Sequence, residues 1–466
     1  MRRVLMLLAL LPLMAGALVF SDDSTADEAG VGVLSPSSEF VELLGGDEDD
    51  DDHVTLNELR NATLQNFQYW GDGSGVDVAL IDTGVSPVDG LDDGRLLHGP
   101  DLSSEGGIEE VAFLDTYGHG THLAGIIAGD RNGAQGIAPA ARIVSVKVAG
   151  RDGVTTVPQV VAAIDWVIEH GQSDGLNIRV LNLSLGLAGV DDHRGDLLSA
   201  AVERAWDAGI FVVVAGGNDG DTQAHLDSPA IDPYVMAVAA VDTTGNIRRG
   251  YTVPDWSAMG DGERNPDSSA AGRSIASYRV PGSAIDEMAP GARVGNDLFT
   301  GSGTSQSAAV VSGLAARLFS ILPMLDNDDV KTSLIAGAFP MEDYPAQRIG
   351  DGAVDGQETS HNLWFDVPAQ VHEPAAGDGT GIVTPTGATW SGGQWNGATW
   401  SGATWSGATW SGGTWSGATW SGATWSGATW SGATWSGATW SGATWSGATW
   451  SGATWSGATW SGSGWV

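Results

Sequence analysis

The sequence of 466 residues contains no cysteine, which excludes a disulfide framework and a thiolate metal site. Basic residues are also scarce: 20 lysines and arginines stand against 57 aspartates and glutamates, so the formal net charge is -37. Phosphate backbones and anionic membrane surfaces repel such a protein, and nucleic acid is not expected as a partner. Beyond the first twenty residues, no apolar run is long enough to span a bilayer. Stability must therefore come from packing, for which the chain is long enough.

The first twenty residues have the layout of a secretory signal peptide. Arg2 and Arg3 precede an apolar stretch, and Ala15-Gly16-Ala17 supplies small residues for cleavage. The alternative is an uncleaved anchor, but the apolar run is at the short limit for a bilayer span. We predict a signal peptide over residues 1–17 and a secreted or cell-surface protein.

Composition divides the rest of the chain into four parts. Residues 18–70 are acidic, include the run Asp47–Asp52, and are predicted to be a pro-segment or linker because they cannot bury enough to fold alone. Residues 71–342 show the patterns of a folded domain, residues 343–386 form a linker, and residues 387–466 form a tryptophan-rich repeat without charged residues.

Strand and helix patterns alternate in the central domain. The segments "VDVALID", "RIVSVKV", "RVLNLSLG" and "IFVVVAGG" are short apolar runs, which predict buried strands. The segments "VPQVVAAIDWVIEHG" and "DLLSAAVERAWDAG" repeat apolar residues at helical spacing and end in glycine. This order predicts an α/β fold around a mainly parallel sheet, with active groups just beyond the carboxyl ends of its strands.

Three side chains that suit one hydrolytic chemistry stand at the ends or starts of these elements. Asp82 follows a strand, and His119 and Ser305 each open a helix. A hydroxyl nucleophile, an imidazole that takes its proton and a carboxylate that orients the imidazole form a hydrolase triad. The alternatives for single residues are a plain helix cap for Ser305 and a turn former for Asp82.

The motifs around these residues resemble those of the subtilases, the family of subtilisin-like serine peptidases. "ALIDTGV", "GHGTHLAG" and "GTSQSAA" are similar to the aspartate, histidine and serine motifs, and "AGGN" to the segment with the oxyanion asparagine. The order Asp, His, Ser is that of subtilisin. The resemblance covers residues 71–342 and implies a three-layer fold and endopeptidase activity on proteins or peptides. It further implies a triad of Asp82, His119 and Ser305, with Asn218 as oxyanion donor.

The same resemblance assigns substrate binding to two short stretches. The edge that pairs with an extended peptide is Ser184, Leu185 and Gly186, and a wall of the first specificity pocket is Ala215, Gly216 and Gly217. Backbone pairing of this kind gives affinity without demanding particular side chains, so broad specificity is expected.

Four positions beside the reactive groups depart from the usual family pattern. Gln306 and Ser307 replace the more usual Met and Ala, Ala309 stands where proline is usual, and Gly216 stands where alanine is common. We expect these changes to affect pocket shape and rate rather than the type of reaction.

Metal and cofactor needs follow partly from the resemblance. It implies no cofactor for bond cleavage and is compatible with structural calcium, for which loops such as "DGLDDG" supply carboxylates without an assignable ligand set. His119 and His122 could be read as metal ligands on one helical face, but the glutamate of the H-E-x-x-H motif is missing and the spacing is one residue shorter. We therefore predict that His122 is a packed or hydrogen-bonded neighbour.

The tail repeats "SGATW", with a tryptophan at every fifth position from Trp390 to Trp465. A Ser-Gly bend in each unit predicts a β-solenoid-like coil with stacked tryptophans, and a disordered tail is the alternative. An ordered aromatic column could contact glycans or a cell surface. The second hypothesis for function is therefore an adhesive protein whose peptidase-like domain is weakly active or inactive.

Overall fold

The computed structural model describes most of the chain between residues 53 and 375. The described residues are 53–65, 67, 71–92, 94–173, 175–222, 225–243 and 250–375, with the backbone of residues 33–34 and of short strands within 389–465. The predicted signal peptide and the acidic run Asp47–Asp52 lie outside them. No helix in the described part of the chain is long and apolar enough to cross a membrane.

The strands and helices of the domain follow one another in a mostly alternating order. The strands are β1 (Val33–Leu34), β2 (Val54–Thr55), β3 (Asp77–Asp82), β4 (Leu96–Asp101), β5 (Asp130–Arg131), β6 (Ala134–Gln135), β7 (Arg142–Lys147), β8 (Thr155–Thr156), β9 (Ile178–Leu183), β10 (Phe211–Ala215), β11 (Met236–Val241), β12 (Ser268–Ala271), β13 (Ile275–Tyr278), β14 (Arg293–Val294) and β15 (Leu298–Gly301). The helices are α1 (Leu56–Leu64), α2 (His119–Ala128), α3 (Val157–His170), α4 (Leu197–Asp207), α5 (Ala284–Met288), α6 (Thr304–Ile321), α7 (Asn327–Ala336), α8 (Ala346–Ile349) and α9 (Gly356–His361).

Seven parallel strands form the central sheet, in the order β12-β11-β10-β9-β3-β7-β4. In the middle of the sheet, Leu80 of β3 lies opposite Ser145 on one side and Asn182 on the other. Every residue of β3, β10 and β11 is buried, which requires cover on both faces of the sheet. The predicted α/β fold with a parallel sheet is confirmed.

Two pairs of helices supply that cover. Helices α2 and α6 pack against each other and against the sheet, and α3 and α4 form the second pair. N-terminal caps fix where the helices of the second pair begin. Thr156 and Gln159 form a capping box at the start of α3. The Asp196 carboxylate accepts from Ser199 N at 2.8 Å at the start of α4.

The folded domain begins before residue 71, the boundary predicted from composition. β2 pairs in parallel with β13, and α1 buries Leu56, Leu59 and Leu64 in the main core. Composition indicates only what the acidic segment could bury alone, whereas this part of the segment is stabilised by burial against the domain. β1 pairs antiparallel with β8.

The domain also continues past residue 342 into the predicted linker. Ala353 pairs with Ser269 and with Phe339, and its backbone exchanges hydrogen bonds of 2.7 and 2.9 Å with Phe339. Asp355 caps α9 by accepting from Gln357 N at 2.9 Å and Glu358 N at 3.1 Å. This stretch therefore lies along the edge of the sheet, beside β12, although its composition is typical of a linker.

In the tail, the backbone forms three-residue strands from β16 (Thr389–Ser391) to β30 (Thr459–Ser461), followed by the two-residue β31 (Gly464–Trp465). Each strand from β16 to β27 pairs in parallel with the strand four repeats later, so that Trp390 lies opposite Trp410 in the register. The tryptophan side chains and the bends lie outside the described residues. The stacking of tryptophans stays a prediction.

The burial of α1 yields a stability prediction. Leu59→Ala removes a side chain with no solvent exposure, and we expect unfolding free energy to fall by about 2 to 5 kcal/mol. Asn61→Ala, at an exposed position of the same helix, should change it by less than about 0.5 kcal/mol. Urea unfolding of the full chain measures both, and equal midpoints for Leu59→Ala and the parent would contradict the packing of α1.

Candidate active site

The carboxylate of Asp82 and the imidazole of His119 are in direct contact. Asp82 is the last residue of β3 and is buried, and both its carboxylate oxygens lie 2.9 Å from His119 Nδ1. The Thr83 backbone N–H donates to Asp82 Oδ1 at 2.7 Å and fixes the carboxylate. An acceptor at Nδ1 favours the tautomer that carries the proton there, which turns Nε2 into the basic nitrogen.

Two glycines allow this close approach of helix and strand. A β-carbon placed on Gly120 would lie 2.1 Å from Gly84 O and 3.1 Å from Asp82 Oδ1, so no larger residue fits between α2 and the end of β3. Gly118, the residue before His119, has a φ of 109°, a conformation that favours glycine. The glycines of "GHGTH" are therefore required by geometry.

A second buried carboxylate, Asp115, holds the start of α2. Its Oδ1 accepts from Gly118 N at 2.6 Å and from Thr83 Oγ1 at 2.8 Å, and its Oδ2 accepts from Thr121 N at 2.8 Å. Burial raises the pKa of Asp115, and these hydrogen bonds act in the opposite direction. Because Thr83 also positions Asp82, one network holds the carboxylate and the helix that carries the imidazole.

Ser305 is the second residue of α6 and is not its cap. The helix starts at Thr304 and its N-cap is Gly303. The Ser305 hydroxyl is buried and donates to the backbone oxygen of Ser184 at 3.3 Å. The serine thus lies at the positive end of an 18-residue helix, against the stretch that follows β9.

Asn218 is fixed to the same helix start through its amide oxygen. Asn218 Oδ1 accepts from Thr304 N at 2.9 Å and from Thr304 Oγ1 at 3.1 Å. The amide nitrogen of Asn218 would lie 3.5 Å from a β-carbon on Gly303. Since the oxygen faces Thr304, the amide N–H groups are presented beside the first turn of α6, whose backbone N–H groups have no intrahelical acceptors. The N-terminus of a helix favours negative charge in general.

The first turns of α2 and α6 lie next to each other across β15. A β-carbon on Gly301 would be 2.9 Å from Gln306 Nε2 and 3.1 Å from His122 Cε1. Gln306 follows Ser305, and His122 lies one turn after His119. The fold thus brings the helix starts that carry the imidazole and the hydroxyl to one place.

The two predicted substrate stretches leave the sheet side by side. β9 and β10 are neighbours, with Leu183 opposite Val214, so Ser184–Gly186 and Ala215–Gly217 emerge at the same edge. The Ser184 side chain donates to Asn182 Oδ1 at 2.8 Å and is buried. Backbone groups at this edge are therefore held in place next to Ser305.

The four departures from the family pattern lie in the interior. Gln306, Ser307, Ala309 and Gly216 are all buried. The Ser307 hydroxyl donates to Ala270 O at 2.9 Å, whereas neither polar side-chain atom of Gln306 has a hydrogen-bond partner in the described structure. Their effect on pocket shape and rate stays a prediction.

Three residues that hold the site escaped the sequence analysis: Thr83, Asp115 and Thr304. Thr83 follows Asp82 in "ALIDTGV", and Thr304 precedes Ser305 in "GTSQSAA". Their place beside a predicted site residue is the sequence signal that could have identified them. Asp115 lies in an irregular segment between β4 and α2, where no periodicity marks it.

His122 is a packed, hydrogen-bonded histidine, as predicted. Its Nε2 lies 3.1 Å from Phe299 O and 3.2 Å from Ile275 O. Burial, together with the neighbouring His119, lowers the pKa of His122 to about 4. Within the described ranges, no three His, Asp or Glu side chains are grouped so that they could hold a metal ion.

The low pKa of His122 predicts acid sensitivity. The native state keeps this imidazole neutral while the unfolded chain binds a proton below about pH 6.5, so stability present above that pH is lost as pH falls to about 4. We expect a loss of about 3 kcal/mol from this group. His122→Gln should flatten the decline, and His361→Gln, at an exposed position, should not. Urea unfolding at several pH values measures the slopes; an unchanged slope in His122→Gln would contradict this account.

Comparison with known proteins gives a consistent family. Residues 73–363 match the subtilase family. The chain is 34% identical over 298 residues to serine protease AprX of Bacillus subtilis, a match that covers 62% of this chain and 66% of AprX. It is 33% identical over 271 residues to the thermostable alkaline protease of Halalkalibacterium halodurans (56% of this chain, 61% of that protein). It is 34% identical over 255 residues to subtilisin-like protease 1 of Arthroderma gypseum (53% and 44%).

The matched segment thus spans 66% or less of the length of each of these relatives. The family match covers well over half of this chain and contains all four motifs identified in the sequence. The chain belongs to the subtilase family.

Proposed function

We propose that this protein is a secreted serine endopeptidase that hydrolyses peptide bonds through Asp82, His119 and Ser305. The observation that carries the proposal is the contact of both Asp82 carboxylate oxygens with His119 Nδ1 at 2.9 Å. This contact orients the imidazole and stabilises the imidazolium that forms when His119 takes the serine proton. The membership in the subtilase family supports the same reaction.

In the proposed reaction, Ser305 Oγ attacks the carbonyl carbon of the substrate while its proton passes to His119 Nε2. The tetrahedral intermediate carries its negative charge on the former carbonyl oxygen. Asn218 and the Ser305 backbone N–H stabilise that oxygen, and His119 then returns the proton to the leaving amine. Water repeats the sequence on the acyl-enzyme, which releases the acid and restores Ser305.

Peptide binding in this proposal uses the two stretches beside the serine. An extended substrate pairs with the backbone of Ser184–Gly186. The substrate side chain on the acyl side of the cleaved bond enters the space next to Ala215–Gly217. Bond cleavage by these groups requires no cofactor. Proteins or peptides are the partners, and calcium would serve stability only.

The proposal places the protein outside the cell. The apolar leader with its two arginines and the small residues at Ala15–Ala17 support export, with cleavage after residue 17. Abundant surface carboxylates keep an exported protein soluble.

Covalent labelling tests the nucleophile. A fluorophosphonate probe should label the mature protein at Ser305, and Ser305→Ala should abolish labelling because the attacking oxygen is gone. Ser74→Ala, at an exposed serine, should label like the parent. In-gel fluorescence and mass spectrometry of the labelled peptide read out both. A parent protein that takes up no probe, or takes it up on another residue, would refute the proposal.

A second candidate function is contact with glycans or a cell surface through the repeat tail. The register that sets Trp390 opposite Trp410, repeated along the tail strands, supports it because aligned aromatic residues suit stacking on sugar rings. In this alternative the peptidase domain is weakly active or inactive, and probe labelling distinguishes the two.

Sedimentation with insoluble glycans tests the tail. We expect the full chain to sediment with at least one insoluble polysaccharide, and a chain ending at residue 386 to stay in solution, because its tryptophan repeats are removed. Probe labelling of the shortened chain controls for folding of the domain. Equal retention of both chains would exclude a binding role for residues 387–466.

A further inference from the structure

The stretch assigned to the first specificity pocket, Ala215–Gly217, has a second glycine-containing stretch, Ser184–Gly186, beside it. Gly186 follows β9 and Gly217 follows β10, and these parallel strands are neighbours in the sheet. The carbonyl oxygen of Gly217 accepts from Ala258 N at 3.0 Å, which brings a third small residue to the same place. A pocket lined by such small residues admits a long side chain.

The carboxylate of Asp227 reaches both stretches. A β-carbon placed on Gly217 would lie 2.6 Å from Asp227 Oδ2, and the same point is 3.3 Å from Ala258 Cβ. A β-carbon placed on Gly186 would lie 2.9 Å from Asp227 Cβ and 3.3 Å from Oδ2. The carboxylate therefore lies between the two walls, in space that the absent side chains of both glycines leave open.

Backbone hydrogen bonds hold Asp227 at this position. Asp227 N donates to Gly216 O at 3.2 Å, and Ser228 and Leu187 exchange hydrogen bonds of 3.0 and 2.9 Å. The chain is thus attached to both walls of the pocket, next to the carboxylate itself. Asp227 is half-buried, whereas the neighbouring Leu226 and Ser228 are buried, so Asp227 is the more accessible residue of this segment.

The chemistry of this arrangement favours a cationic side chain. An ammonium or guanidinium group that enters between the walls meets a fixed carboxylate in a partly desolvated site, where charge-assisted hydrogen bonds are strong. An aliphatic or aromatic side chain at the same place would desolvate the carboxylate without offering it a hydrogen bond. The net charge of -37 also attracts cationic peptides.

We propose that Asp227 makes the first specificity pocket select lysine or arginine on the acyl side of the cleaved bond. This inference rests on the proposed peptidase function and names its substrate class. It replaces the broad specificity expected from backbone pairing with a preference set by one side chain. Asp227 is a specificity-determining residue: it binds substrate and takes no part in proton transfer.

Matched peptides test the preference without any mutation. Arginine and citrulline have nearly the same shape and differ in charge, so the ratio of kcat/KM for two peptides that differ only there isolates the electrostatic term. We expect the parent protein to prefer arginine by about 10- to 100-fold. Asp227→Asn should bring the ratio to within about threefold of unity, because the charge that separates the two peptides is gone. Asp221→Asn, at an exposed acid of the same loop, should keep the parent ratio.

Fluorophosphonate labelling separates failure of this inference from failure of the proposed function. A parent protein that is labelled at Ser305 but cleaves both peptides equally, or prefers citrulline, overturns the role of Asp227 and leaves the peptidase intact. A parent protein that is not labelled overturns both. If Asp227→Asn is not labelled, its fold or site is damaged, and the arginine-to-citrulline ratio of the parent protein decides the question.

Discussion

The contact between Asp82 and His119 depends on how closely helix α2 approaches the end of β3. Gly120 makes that approach sterically allowed, and Asp115 fixes it by binding both the backbone of α2 and the threonine after Asp82. The parallel sheet positions the other groups of the site. Its neighbouring strands β9 and β10 end at one edge, and Ser184 and Asn218, which follow them, contact the start of α6. A carboxylate, an imidazole and a hydroxyl far apart in sequence are thus set at the ends of rigid elements.

Much of this could be predicted from the sequence, for reasons visible in particular residues. The buried strands are continuous apolar runs, so the sequence predicts the bounds of β3 and β7 to within about one residue. Asp82 and His119 stand in short motifs at element ends. Asp115 and Asp227 lie in irregular segments. Their roles depend on the residues that the fold places next to them, which are distant in sequence or outside any repeating pattern. Periodicity carries no information on such positions.

The two ends of the domain also depend on packing that composition does not show. Helix α1 and the stretch around Ala353 look like parts of an acidic leader and a linker, because each has too few apolar residues to fold alone. Both are stabilised by the surface they cover: α1 packs on the core and Ala353 pairs beside β12. Composition describes a segment by itself, whereas burial depends on what the segment packs against. The tail differs, since its period of five residues is itself a structural signal.

A crystal structure of the protein inactivated by a phosphonate tests the central claim most directly. The account predicts phosphorus bonded to Ser305 Oγ, with the phosphonyl oxygen about 3 Å from Asn218 Nδ2 and from the Ser305 backbone nitrogen. It also predicts that His119 Nε2 faces Ser305 Oγ while Nδ1 keeps its contact with Asp82. A phosphonyl oxygen directed away from Asn218, or an imidazole out of reach of the modified serine, would contradict it.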